Sequence, residues 1–158
     1  QDGIRNLRYS LVDGCAVGCE GRVHSGYASA YESIRPDMRV VLRSSKRVLF
    51  TGHSMGAALA CIAAHDWAAS HPDQKTLFVG IAGSKCGDED FARSQPSNLD
   101  ATLVFNTADP FPAWPPTSSY RHLAGANRIN FTSDVGGWRQ CHDPETYVDA
   151  LLAMVGES

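Results

Sequence analysis

The chain has 158 residues, 43% of them apolar, enough for one domain with a real core. Its 14 Lys and Arg against 17 Asp and Glu leave a formal net charge of −3, and no more than two basic residues stand side by side, so the electrostatic footprint of a nucleic-acid binder is absent. No apolar run approaches the roughly 20 residues of a membrane-spanning helix.

In chain order, Ile4, Leu7 and Leu11 keep a helical spacing that predicts a short amphipathic helix running into Asp13-Gly14. Tyr27, Tyr31, Ile34, Met38, Val41 and Leu42 predict a second helix, which Pro36 is expected to kink or restart. Val48 to Phe50, Leu77 to Ile81 and Leu103 to Phe105 are short apolar runs bounded by Gly, Asn or Asp and read as buried strands. Between the first two lies the Ala-rich stretch Met55 to Ser70, a helix stopped at His71-Pro72. Strand, helix, strand implies a parallel crossover. Pro110, Pro112, Pro115 and Pro116 mark a rigid loop. Asp143 is a good N-cap with Pro144 in the first helical position, and Tyr147, Ala150, Leu151 and Met154 form the apolar stripe of a closing helix.

Five cysteines, Cys15, Cys19, Cys61, Cys86 and Cys141, lack a second pair at metal-ligand spacing, so no metal site is expected. Their odd number weighs against a fully paired secreted framework. Asn130-Phe131-Thr132 reads as a glycosylation acceptor and leans toward a secretory route.

The chemistry-bearing motif is Gly52-His53-Ser54-Met55-Gly56, which matches G-x-S-x-G. The pattern turns a strand sharply into a helix and holds the Ser hydroxyl out at the carboxyl edge of a sheet, and bulk at either glycine is expected to block the turn. The flanking strand and helix supply the required context. The bland reading of Ser54 is a turn serine or helix N-cap. A nucleophilic serine needs a base, and the base an orienting group. In this architecture the order along the chain is Ser, acid, His. Asp109 directly follows the third strand and precedes the proline loop, which makes it the best acid over Asp88, Asp100 and Asp134. His142, just before the closing helix, satisfies the order as base. His53, His65 and His71 read as structural, while His24 and His122 stay open as alternatives. Such a triad calls for no cofactor.

These segments resemble the class 3 lipase family, the fungal-type triacylglycerol lipases and their relatives. Val23-His24-Ser25-Gly26-Tyr27 is similar to that family's V-H-x-G-F. Thr51 to Ala60 is similar to its T-G-H-S-L-G-G-A-L-A, with Met55 and Ala57 in place of Leu and Gly. Ala82 to Ala92 follows its G-x-P-x-x-G-D-x-x-F-A, with Lys85-Cys86 in place of Pro-Arg, and Asn106 to Pro116 its N-x-x-D-x-V-P-x-L-P-P. The resemblance implies an α/β fold, an α/β-hydrolase core with a mostly parallel sheet lacking the family's N-terminal helix and strands. It places Ser54, Asp109 and His142 on the triad and the Met55 backbone N–H in the oxyanion hole. Gln1 falls at or next to the second oxyanion donor. Residues 1–158 would form one catalytic domain, with residues 1–14 as a lid segment whose helix is Ile4 to Val12. The implied activity is hydrolysis of lipid esters, with a lipid or small ester as substrate and transient contact with a lipid interface. A phospholipase, galactolipase or feruloyl-type esterase on the same scaffold, or a non-catalytic lipase-like fragment, are the alternatives. Because the family's upstream helix and strands have no counterpart here, an upstream segment or second chain is expected to complete the fold.

Overall fold

The structure, a computed structural model, describes residues 10–156. Gln1 and residues 4–9 of the expected lid helix lie outside these. The end of that expected helix is strand instead: β1 (Leu11–Asp13) pairs antiparallel with β2 (Arg22–His24), with a short 3-10 turn, Gly14–Val17, between them. Asp13 accepts the backbone N–H of Cys15 at 2.9 Å, so it caps the turn and does not extend a helix.

Helix α1 (Ser25–Leu42) runs without interruption through Pro36, where a kink or restart was expected. Pro36 and Glu32, whose carbonyl loses its partner to the missing N–H, are both exposed, so water can satisfy what the proline leaves open. Strand β3 (Val48–His53) leads into α2 (Met55–Ser70), followed by β4 (Thr76–Ile81), the short helix α3 (Glu89–Arg93), β5 (Leu99–Asn106) and β6 (Asn127–Phe131). Two more helices, α4 (Trp138–Cys141) and α5 (Pro144–Gly156), close the described chain. The four strands lie in the order β3-β4-β5-β6 and every pairing is parallel.

Strand alternation divides the core into two layers. Phe50, Phe78, Ala101 and Leu103 face α2 and pack with Ala58, Cys61 and Ile62. Val104, Ile129 and Phe131 face the other way and pack with Tyr147 and Leu151 of α5. Met154, read as part of the apolar stripe of α5, is instead exposed. Helix α2 is buried at Ala57 and Ala58 and from Cys61 to Ala68, with little polar face, because the sheet lies on one side and α1 on the other. Its alanines allow that double approach. Since all four strands run the same way, the loops after β3, β5 and β6 leave from one edge of the sheet.

Helix α1 is held to α2 by a buried carboxylate. Asp66 is fully buried and accepts from Arg35 Nε and Nη2 at 2.8 Å each, from Tyr31 Oη at 2.7 Å and from Arg39 Nη2 at 3.0 Å. Burial pushes Asp66 up, but the bonds from Arg35 and Tyr31 outweigh it and hold the carboxyl below the usual carboxylate range. A depressed folded value means that this contribution to stability is complete above about pH 4 and is lost as pH falls through it. Asp66→Asn, which leaves two guanidinium groups without their anion, is expected to lower unfolding free energy by about 3–5 kcal/mol in denaturant titration, and to flatten the loss of stability on acidification.

Candidate active site

Ser54 stands between β3 and α2 with φ 60° and ψ −125°, outside the regions that L-residues ordinarily favour. Its N–H donates to the Ile81 carbonyl at 2.9 Å, which ties the turn to the end of β4. Gly52 is required by space, since a Cβ there would sit 2.5 Å from the backbone carbon and oxygen of Gly56. The second glycine is different. Among the described residues a Cβ on Gly56 meets nothing within 4 Å, so of the two glycines only Gly52 is required there by space. Ser54 occupies the N-cap position, yet its hydroxyl makes no capping bond. It points instead to an imidazole.

His142 Nε2 lies 2.8 Å from Ser54 Oγ, and His142 Nδ1 lies 2.7 Å from Asp109 Oδ2. An ionised carboxylate only accepts, so Nδ1 carries the hydrogen and Nε2 is left bare to accept the Ser54 hydroxyl proton. The Asp109 side chain is fully buried. Its Oδ1 accepts the Phe111 N–H at 2.9 Å, and its Oδ2 also accepts the Tyr147 hydroxyl at 2.8 Å. Burial raises the Tyr147 phenol well above its usual range, so it stays a donor. The Tyr147 oxygen in turn accepts the Asn106 N–H at 3.1 Å.

Asn106, named in the sequence only as the start of a family segment, organises the two loops around this site. Its Nδ2 donates to the carbonyls of Ser133 and Cys141, and its Oδ1 accepts the N–H of Ala108 and of Ser133. It is fully buried. The readable signal is an amide at the last position of an apolar strand, where a buried side chain must find four partners.

The other candidates sit elsewhere. His122 Nε2 donates to the Pro112 carbonyl at 2.8 Å and its ring packs on Phe105, and burial pushes its pKa down to about 4. His24 Nδ1 accepts the Gly26 N–H at the start of α1. His71 Nδ1 donates to the Trp67 carbonyl. Asp88 caps α3 through the Phe91 N–H and pairs with Arg22, Asp100 pairs with Lys75, and Asp134 lies 3.9 Å from the Cys141 thiol. Met55, the first residue of α2, presents a backbone N–H at the positive end of that helix, where no intrahelical acceptor exists.

Beside the imidazole lies a cleft of about 310 Å³ lined by Pro110, Phe111, Trp114 and Trp138. The Phe111 ring centroid is 4.5 Å from that of His142. A larger hollow of about 560 Å³ opens at the opposite end of α2, around His65 and Asn98, away from Ser54.

The family profile described as Lipase (class 3) matches residues 2–119, a span that holds Ser54 and Asp109 but not His142. Over 147 residues the chain is 27% identical to Phospholipase A1-II 3 of Oryza sativa subsp. japonica, a match covering 81% of this chain and 35% of the relative. In fold it is similar to a mono- and diacylglycerol lipase from Aspergillus oryzae (TM-score 0.67, 19% identity, 90% of this chain and 54% of that one). It is also similar to the lipase of Rhizomucor miehei in a propeptide complex (TM-score 0.69, 22% identity, 84% and 45%). The chain therefore spans about a third of the length of this curated relative and about half that of these solved structures. The shared fold is that of the α/β-hydrolases.

The two glycines of the turn should separate on substitution. Gly52→Ala forces backbone apart and is expected to destabilise the chain by about 3 kcal/mol in thermal or denaturant melting. Gly56→Ala meets no neighbour among the described residues, in the first turn of a helix, and is expected to be neutral or to stabilise by up to about 1 kcal/mol.

Proposed function

The chain belongs to the class 3 lipase family, and from that premise we propose that it hydrolyses carboxylic esters of lipids through an acyl-enzyme formed on Ser54. The observation that carries this reading is the unbroken hydrogen-bonded line from Ser54 Oγ through His142 to Asp109, at 2.8 and 2.7 Å. Ser54 Oγ attacks the ester carbonyl as His142 Nε2 takes its proton. Asp109 holds the tautomer and faces the imidazolium that results. His142 then returns the proton to the departing alkoxide oxygen, and a water activated by the same nitrogen releases the acid. The Met55 N–H donates to the developing oxyanion. Gln1 contributes the second donor, following the family resemblance.

An acyl chain is the substrate part that fits the cleft of Pro110, Phe111, Trp114 and Trp138, since its walls are apolar and begin at the base itself. Exposed Trp138 at its rim suits transient contact with a lipid interface. The rice relative's name favours one second reading, a phospholipid as the ester donor. The exposed sequon at Asn130 supports a secretory route. Strand β3 pairs with β4 alone among the described residues and exposes Leu49, which supports a covering segment or second chain on that side.

A fluorophosphonate probe tests the nucleophile. Rapid labelling of the wild type, abolished in Ser54→Ala, is expected, and a wild type that does not label defeats the reading in favour of a non-catalytic fragment. On a short-chain chromogenic ester, His142→Ala is expected to lose at least about 10⁴-fold in kcat, and Asp109→Asn a comparable factor. His122→Ala is expected to retain activity within a few-fold of wild type. Comparing rates on triacylglycerol and phosphatidylcholine emulsions decides between the two lipid classes.

A further inference from the structure

The ring of the base is oriented by a single carboxylate. Asp109 fixes Nδ1, but the His142 main chain belongs to the short link between α4 and α5, and its position relative to Ser54 needs a second anchor. The His142 N–H donates to the Trp138 carbonyl at 3.0 Å, which ties it only to its own helix. Its carbonyl reaches further, to His53 Nε2 at 2.9 Å. A carbonyl can only accept, so His53 carries its hydrogen on Nε2.

His53 is the last residue of β3 and the immediate neighbour of Ser54, and the β3–β4 register pairs it with Ile81. Its bond therefore joins the main chain of the base to the strand that carries the nucleophile. Its ring centroid is 4.8 Å from that of His142 and 6.0 Å from that of Tyr147. Burial first, and then the neighbouring His142 ring, lower the pKa of His53, against the smaller opposing effects of its bond to the His142 carbonyl and of Asp109 and Asp143. A neutral ring in this place can donate its one hydrogen without adding a second cation beside the imidazolium that forms on His142.

We infer that His53 is a positioning residue for the reaction, its Nε2–H fixing the His142 backbone at the distance from Ser54 that proton transfer requires. The inference rests on the reading of Ser54, His142 and Asp109 as a triad. Misplacement of a catalytic group by about 1 Å is enough to reduce a rate by about 10²-fold; Asn106 ties the neighbouring Cys141 carbonyl to β5, and the His53 bond ties the base itself to the strand that carries Ser54.

Gln and Asn separate this role from simple packing. The Gln side-chain amide nitrogen lies as many bonds from Cα as His Nε2 and can donate to the same carbonyl, whereas the Asn amide is one carbon too short. kcat and KM are measured on a short-chain chromogenic ester for wild type, His53→Gln, His53→Asn and His53→Leu. His53→Asn and His53→Leu are expected to lose about 10–10²-fold in kcat with KM within about twofold, and His53→Gln to stay within about threefold of wild type. Equal activities in His53→Gln and His53→Asn, whether both high or both low, overturn the inference, as does a His53→Leu enzyme with unchanged kcat. A wild type that neither labels with fluorophosphonate nor turns over ester overturns instead the triad reading beneath it.

Discussion

A carboxylate buried at the edge of a sheet must be met by donors, and the way Asp109 is met determines the polarity of everything next to it. Three donors converge on it, the Phe111 N–H, the Tyr147 hydroxyl and His142 Nδ1. They come from three separate pieces of chain: the loop after β5, helix α5, and the link before α5. Because the carboxylate gives nothing back, the imidazole hydrogen is drawn to Nδ1, and the lone pair on Nε2 is what faces Ser54. An uncompensated charge in the same place would be costly enough to shift its pKa or reshape the loop. The architecture exists in part to deliver those donors. Tyr147 reaches Asp109 only because α5 is seated by Tyr147 and Leu151 on Val104, Ile129 and Phe131.

The opposite side of the sheet supports the strained turn. A non-glycine residue held at positive φ costs of the order of 1–3 kcal/mol and persists only where its surroundings over-determine it. Here the surroundings are β3 in register with β4 on one side of Ser54 and α2 on the other. Burying a side chain such as Ile62 or Phe78 contributes roughly 1.5–3 kcal/mol each, so a few of the contacts between α2 and the sheet offset the strain at its first turn. Asp66 fastens the far side of that helix to α1. The turn and the Asp66 cluster are thus two ends of one rigid body, and Ser54 is placed by packing that lies well away from it.

Local features of the site were legible in the sequence because local chemistry demands them. A glycine at 52 and a strand running into an Ala-rich helix are required by the turn itself, and the boundaries read for that helix, Met55 and Ser70, are those of α2. Asp109 and His142 could be singled out because parallel strands deliver their loops to one edge, which converts chain order into proximity. What was hidden depends on partners distant in sequence. Strand β6 reads Asn-Arg-Ile-Asn-Phe, and an edge strand with its polar residues exposed lacks the continuous apolar run that marked the other three. Leu11 shares a helical spacing with Leu7, yet its pairing with His24 makes it strand. His53 reads as structural until its bond to the His142 carbonyl is seen, since nothing near residue 53 announces residue 142. Gly56 matches the motif, but no neighbour among the described residues occupies the space its missing side chain leaves.

A second serine and histidine in the molecule show why distance alone does not set the direction of a hydrogen bond. His65 Nε2 lies 3.1 Å from Ser94 Oγ, close to the separation at the sheet edge. The Ser94 hydroxyl, however, donates its one hydrogen to the Phe91 carbonyl at 3.1 Å. His65 Nε2 must then be the donor, pointing its hydrogen at the serine oxygen, and its Nδ1 is buried with no partner among the described residues. The imidazole in that pair has no lone pair to offer the serine, and among the described residues no carboxylate bonds its Nδ1 to hold the opposite tautomer. At Ser54 both conditions are reversed: the hydroxyl has no capping role to draw its hydrogen away, and Asp109 draws the imidazole hydrogen to the far nitrogen. The same two side chains, at nearly the same distance, differ in the direction of the hydrogen bond between them because that direction is imposed by the third group.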